Sequence, residues 1–492
     1  MKYHHQYSLT RIIAVAVLAL LAGSQALQAQ FAEDVLRFST FNTGIGGRSA
    51  AMGNTSVGIA DDFSSLFTNP AGLTSLRSFE FSVGLSNSGY NNDASFFGMK
   101  TNASERVTNL SNFGLVYPVP TKRGSLSFAF GFARVSNFAT TASFSGFNPG
   151  SSMVESLTPD VNLNGMSSGD KKQLLDSNIP FQIFLADSLS GRLYPNVTDS
   201  VQQDGTIRET GGVNSWSFGG AVEIARGLSL GVGINILSGS YGYDRVYTES
   251  DSRNIYRYAP PFDFSRFRYE SSINSDLSGY NVLVGLMYRK QGKYKIGMTV
   301  RTPTYYRIEE SYTDFGKSWF DNNDHFEISN PGSTNYDVKS PYVLSAGVSV
   351  QALDWLLLAG DAEYTDWTEM EFTSDNLDLI EENRIIRNLF TATTELKGGV
   401  EVTLFDLGVK LRGGYAYIPS PYKDDPSDFD QKYFTLGAGA TIDENVGLNA
   451  SVAIGNWKTF RDNYYLFGLS APSRTSESVS TSLVNITMTY RF

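Results

Sequence analysis

Side chains able to run covalent or acid–base chemistry are scarce in this 492-residue chain. It contains no Cys and three His, and His4 and His5 stand at its extreme N-terminus. That leaves His325 alone in a polar stretch, with no Gly-x-Ser-x-Gly partner. A lone His assembles neither a Ser–His–Asp triad nor a His-containing zinc cluster, and its plain reading is a solvated bystander. No catalytic residue, cofactor or metal is therefore expected. The residues whose spacing does stand out point to binding. In Asn69-Pro70-Ala71 the amide can hold backbone in place while Pro fixes a turn. The aromatic run Tyr256, Tyr258, Phe262, Phe264, Phe267 and Tyr269 suits an external loop that lines an entry groove for an apolar ligand. Each has a structural alternative: an Asx-type turn for the first, a loop packing on itself for the second.

The elements that must carry these residues are strands. From Leu483 to Phe492 the chain alternates, with Val484, Ile486, Met488, Tyr490 and Phe492 on one face and Asn485, Thr487, Thr489 and Arg491 on the other. A wholly apolar face ending in a C-terminal aromatic suits a lipid-facing barrel strand. Period two recurs in thirteen more segments, among them those around Phe79–Leu85, Leu126–Phe132, Trp216–Ile224, Leu228–Ile236, Tyr280–Tyr288, Tyr342–Val350 and Leu407–Tyr417. The second faces carry Glu80, Glu223, Lys295, Arg301, Asp361, Glu363, Lys397, Glu401, Lys410, Arg412 and Arg491, with many glycines between. A lipid-facing Arg or Lys at mid-bilayer costs about 2–4 kcal/mol, so these residues must point inward. The predicted fold is all-β: a transmembrane antiparallel β-barrel of about 14 strands.

The N-terminus agrees with export. Lys2 and Arg11 precede the apolar run Ile12 to Ala22, and small residues follow near Ala26 to Ala29, the pattern of a secretory signal peptide. Residues 1–29 are read as that signal, 30–77 as a separate N-terminal segment and 78–492 as the barrel. The net charge of −11 leaves no basic stripe for nucleic acid. Short turns at Lys122-Arg123-Gly124, Arg226-Gly227, Lys290-Gln291-Gly292, Leu353-Asp354, Phe405-Asp406 and Asp443-Glu444-Asn445 alternate with long polar links, the longest from Ala139 to Gly212. Barrels of this kind keep short turns in the periplasm and long loops outside.

The segment ahead of the first strand is rich in Gly44, Gly46, Gly47, Gly53 and Gly58 and contains GIADDFSSLFTNPAGL from Gly58 to Leu73. Small residues and tight turns suit a compact plug in a narrow lumen. Arg48, Asp61, Asp62 and Arg77 could pair there with inward-facing charges. Here the sequence resembles the FadL family of outer-membrane transporters for long-chain fatty acids and other hydrophobic compounds. The likeness rests on Ala60-Asp61-Asp62 and Asn69-Pro70-Ala71, on Tyr364-Thr365-Asp366-Trp367, and on Arg412-Gly413-Gly414-Tyr415-Ala416-Tyr417 with Ser420-Pro421. It implies a single barrel in the outer membrane of a Gram-negative bacterium, surrounded by lipid and taking up a hydrophobic small molecule. The leader would be a hatch with Asn69, Pro70 and Ala71 at its gate, and release would be sideways through the wall, where Gly131 is expected to mark a kink. A non-transporting scaffold for protein secretion is the competing function.

Overall fold

Alternation of apolar and polar side chains becomes a closed ring. The computed structural model describes residues 25–41, 44–257, 263–290, 292–373, 377–443, 445–466, 469 and 472–492. Strands β1 (Glu80–Phe96), β2 (Met99–Val119), β3 (Leu126–Asn137, continued by Thr140–Asn148), β4 (Val201–Ala225) and β5 (Leu228–Ser250) begin it. It goes on through β6 (Phe264–Lys290), β7 (Tyr294–Arg301 and Tyr305–Phe320), β8 (His325–Lys339 and Val343–Leu353), β9 (Leu356–Asp366) and β10 (Ala392–Leu404). The last four are β11 (Val409–Ile418), β12 (Gln431–Asp443), β13 (Val446–Asp462) and β14 (Arg474–Arg491). β1 pairs with β14 from Glu80↔Arg491 to Ser95↔Ser476, so the sheet has no free edge.

The two faces sort as their chemistry demands. Tyr117, Met298 and Leu436 point out, 55%, 58% and 65% exposed, whereas Glu80, Asp361, Glu401 and Arg412 are buried inside. In β14 the apolar Val484, Ile486 and Met488 are exposed while Asn485 and Thr487 are buried. The short turns gather at one end, where Gly124, Gly227, Gly292 and Gly408 adopt positive φ, the conformation such turns require. At the same end the Phe492 N–H donates to the Phe79 carbonyl at 3.0 Å. No helix among the described residues is long and apolar enough to cross a membrane.

The long links differ from expectation. β1 and β2 stay paired out to Phe96↔Met99, and β7 and β8 to Trp319↔His325, so both links are extended hairpins. Their outer parts carry mostly Ser, Thr, Asn and charged residues, with apolar alternation confined to short pairs such as Tyr306 and Ile308, which leaves little hydrophobic period to read although the backbone ladder continues. His325 stands exposed at the tip of the second hairpin. The stretch from Ala139 to Gly212 holds the outer part of β3, a helix Ser168–Ser177, a small hairpin Ala186–Leu189 with Arg192–Pro195, and the start of β4.

Candidate functional site

The leader fills the ring. Short helices Gly47–Ala51 and Ser65–Thr68 and a 3-10 turn Pro70–Ser75 are almost wholly buried against the inner wall. Such short pieces leave many backbone groups without partners inside the leader, and the wall supplies them. Three consecutive N–H groups, of Ser56, Val57 and Gly58, donate to the Asp361 carboxylate at 2.5, 2.8 and 3.2 Å. The Phe63 N–H donates to Glu80 at 2.8 Å, and Arg491 holds the same carboxylate at 2.9 Å. The Gly53 N–H donates to Thr435 and the Thr435 hydroxyl donates to Ala51, at 2.8 and 3.0 Å. Thr487 accepts from Gly47 at 3.0 Å, and Ser349 donates to the Gly58 carbonyl at 2.8 Å.

Charges lock the middle of the plug. Arg48 contacts both oxygens of Glu401, at 2.9 and 3.1 Å, and also pairs with Asp61. Arg412 and Lys410 reach the same Glu401 at 2.7 and 3.4 Å, and Lys295 reaches Asp61 at 2.7 Å. Burial alone would raise the Asp61 carboxyl, but the Arg48 and Lys295 charges outweigh it and hold it well below the usual carboxylate range. Removing one member of such a network strands the others in a poorly hydrated lumen.

The Asn-Pro-Ala motif sits at the centre of this packing. Asn69 is fully buried; its amide N–H donates to the Val57 carbonyl at 3.1 Å and to the Leu286 carbonyl of β6 at 3.4 Å. Its side-chain oxygen accepts from the Ala71 N–H at 3.2 Å. One residue therefore closes an Asx-type turn and ties the plug to the wall at once. Pro70 and Ala71 press against Gly231, where an added Cβ would lie 2.3 Å from the Ala71 nitrogen.

Gly131 faces inward and pairs with Gly114 in an unbroken stretch of the β2–β3 ladder. The expected kink is not there; the side chain is absent because the Phe63 ring occupies its place, 2.3 Å from where a Cβ would stand on either glycine. The irregularity lies just beyond. The β2–β3 ladder stops at Asn112↔Ala133. Ser111 is an extra residue of β2 opposite β1, and Val135 an extra residue of β3 opposite β4. Bulges bend strands, and here two of them flank the point where β2 and β3 part. Beyond it, the outer part of β3 packs on the β1–β2 hairpin through Phe144 and Phe96, 5.0 Å between ring centres, without pairing into it.

Phe264 and Phe267 belong to the outer end of β6, not to a loop, and are fully buried beneath the outer connections with Phe96, Phe144, Tyr247 and Ile183. They build a closed core and line no open groove; Phe262 lies outside the described residues. An element missed in the sequence is the helix Gln25–Ser39, whose Val35 and Phe38 fill the lumen against Tyr241, Tyr306 and Ile386. Its Arg37 lies over the Tyr241 ring at 4.5 Å. The helix starts before the expected cleavage site at Ala29. Asp361, Glu80 and Phe63 were legible as inward charges and as part of the leader, but their pairing was not. Among the described residues no group of His, Asp and Glu could hold a metal.

Barrel and filling together define a plugged fourteen-strand barrel. No family model matches the sequence, and no curated protein matches it. Solved structures do. A FadL homologue of Pseudomonas aeruginosa is 12% identical, with a TM-score of 0.58 over 92% of this chain and 100% of its own. The toluene transporter TodX of P. putida is 14% identical, with a TM-score of 0.54 over 91% of this chain and 99% of its own. The toluene transporter TbuX of Ralstonia pickettii is 14% identical, with a TM-score of 0.52 over 92% and 100%. The fold expected from the hatch motifs, that of the FadL barrels, is the fold of this chain.

Proposed function

We propose that this protein resides in the outer membrane of a Gram-negative bacterium as a single barrel and passes hydrophobic small molecules, long-chain fatty acids among them, inward without an energy source. Residues 1–29 serve as its export signal, 30–77 as the hatch and 78–492 as the barrel. The observation that carries the reading is a lumen blocked by a small, backbone-tethered plug directly beneath a parted wall. An apolar molecule leaving between β2 and β3 enters lipid without crossing water, which suits a solute that water rejects. The outward apolar face supports the location, because only a closed barrel leaves no unpaired strand edge in lipid. The structures named as toluene transporters share the fold, which supports a hydrophobic cargo. Asn69, Pro70 and Ala71 act as the gate: loss of the Asn69 tie removes the plug's hydrogen bond to Leu286 of β6. The scaffold reading gives no use to the parting of β2 from β3.

The test is uptake of labelled long-chain fatty acid by cells with and without the protein, beside a small sugar. Faster entry of the fatty acid alone is expected; equal entry in both cells refutes transport. Exchanging Asn69-Pro70-Ala71 for a flexible linker is expected to impair uptake in a folded barrel.

A further inference from the structure

The short turns at the periplasmic end divide by charge. Those joining β2 to β3, β4 to β5 and β6 to β7 hold Lys122 and Arg123, Arg226, and Lys290 and Lys293. The next two around the ring, joining β8 to β9 and β10 to β11, hold Asp354 and Asp406. All of these residues are exposed, and among the described residues none of the five cations forms an ion pair. Glu223, the carboxylate nearest them in sequence, closes its own turn instead, accepting from the Gly227 N–H at 2.7 Å. Cations gathered in one arc without counter-charges repel one another and are relieved by anions brought to them.

The depth of the arc says which anions. Lys290 extends the outward face of Leu286 and Tyr288, and Arg226 follows the exposed Val222 and Ile224. Tyr294 pairs with Lys290 across the ladder, its ring centre 6.1 Å from that of Tyr288, and Tyr117 and Phe128 stand exposed on either side of the β2–β3 turn. Outward aromatic rings at a strand end mark the level where hydrocarbon gives way to headgroups. Lys and Arg one step beyond lay their stems along the apolar face and lift their charge into that layer. A soluble acidic partner would need charges held out past it, and turns of two to six residues do not reach so far.

We propose that this arc is a docking surface for anionic phospholipid headgroups, with Lys122, Arg123, Arg226, Lys290 and Lys293 as the contacts, and that the arc of Asp354 and Asp406 turns the same lipids away. The barrel thereby sorts the lipid around it. Anionic lipid gathers under the side where β2 and β3 part, and zwitterionic lipid lies opposite. The inference rests on the membrane location proposed above and not on transport.

The chain has no Cys, so a fluorophore on Ala225→Cys reports the basic arc and one on Leu407→Cys the acidic arc; both positions are exposed. The full-length labelled barrel is placed in phosphatidylcholine vesicles that contain a small fraction of either nitroxide-labelled phosphatidylglycerol or nitroxide-labelled phosphatidylcholine, and quenching is compared. At low ionic strength phosphatidylglycerol is expected to associate at the Ala225→Cys label at least about threefold more strongly than phosphatidylcholine. At the Leu407→Cys label it should do no better than phosphatidylcholine. The difference shrinks in concentrated salt, which screens exposed charges. Lys122→Gln, Arg123→Gln, Arg226→Gln, Lys290→Gln and Lys293→Gln made together abolish it, in a barrel whose folding is verified by heat-modifiable migration. Equal association of the two lipids at Ala225→Cys, the same ratio at both labels, or a ratio that survives the Gln replacements overturns the lipid site and leaves the charge to an acidic protein. The comparison of the two labels decides even where the Gln variant does not fold. Uptake is measured separately, so a barrel that gathers phosphatidylglycerol yet carries nothing keeps this site and loses the transport reading.

Discussion

Replacing Asp361 by Ala should unseat the plug while leaving the barrel closed. Its carboxylate accepts from three successive N–H groups, of Ser56, Val57 and Gly58, and substitution leaves all three without a partner on the wall. Each orphaned buried donor costs on the order of 1–3 kcal/mol. Water reaching the vacated space recovers part of this, and the variant no longer buries a charge. Three donors together cost about 3–9 kcal/mol before those offsets; a net loss of about 3 kcal/mol, within what remains, multiplies the unseated population by more than 100. The chain has no Cys, so a single reporter at Val57, 5% exposed, gives a clean reading. Val57→Cys in an otherwise native barrel should resist a membrane-impermeant maleimide. The same reporter with Asp361→Ala should react at least an order of magnitude faster, with unchanged heat-modifiable migration. Equal labelling rates in the two would refute the idea that backbone tethers hold the plug.

Three further outcomes are expected. Asn69→Leu keeps the volume but loses the ties to Val57, Leu286 and Ala71, and should cost about 2–4 kcal/mol of plug seating, read by the same Val57→Cys labelling. Gly131→Val places methyl groups where Phe63 lies, so the Phe63 segment must withdraw; Phe63→Ala in the same chain should restore normal protease resistance of the leader, while failure of that rescue would count against the contact. Glu382, on the helix Leu377–Leu389, is pushed up to about 7 by burial first and by neighbouring Glu381 second. Its unfolded counterpart ionises near pH 4, so the cost of docking that helix grows as pH rises from about 4 to about 7. Protection of its amides, the exchange rate relative to that of an unfolded chain at the same pH, should therefore be greater at pH 5 than at pH 8, and the reverse order would contradict the assignment.

The barrel was legible because each wall strand separates an apolar from a polar face, and that contrast survives in the bare order of residues. All fourteen strands were marked this way, as was the inward turn of Glu401 and Arg412. The outer hairpins beyond Ser86 and Arg301 escaped because their few apolar residues, such as Phe96, Tyr306 and Ile308, are buried under segments distant in sequence and stand among long polar stretches. Phe264 and Phe267 looked like loop residues because the connections that cover them, such as the segment around Ile183, lie far away in sequence. Gly131 was expected at a kink, but a missing side chain signals a bend or a close neighbour equally well, and only three dimensions show the Phe63 ring. The Asp361 cradle was invisible because its partners are main-chain amides, which carry no sequence signature.

The seam between first and last strands has a consequence for the order of assembly. β1 and β14 stand about as far apart along the chain as two barrel strands can, and contacts of such separation form late. Glu80, on that very seam, grips both Arg491 and the Phe63 amide. A ring zipped shut around an empty bore would have to swallow its stopper afterwards through a narrow mouth. The shared carboxylate instead makes the stopper part of the clasp, so the vessel is corked as it is sealed.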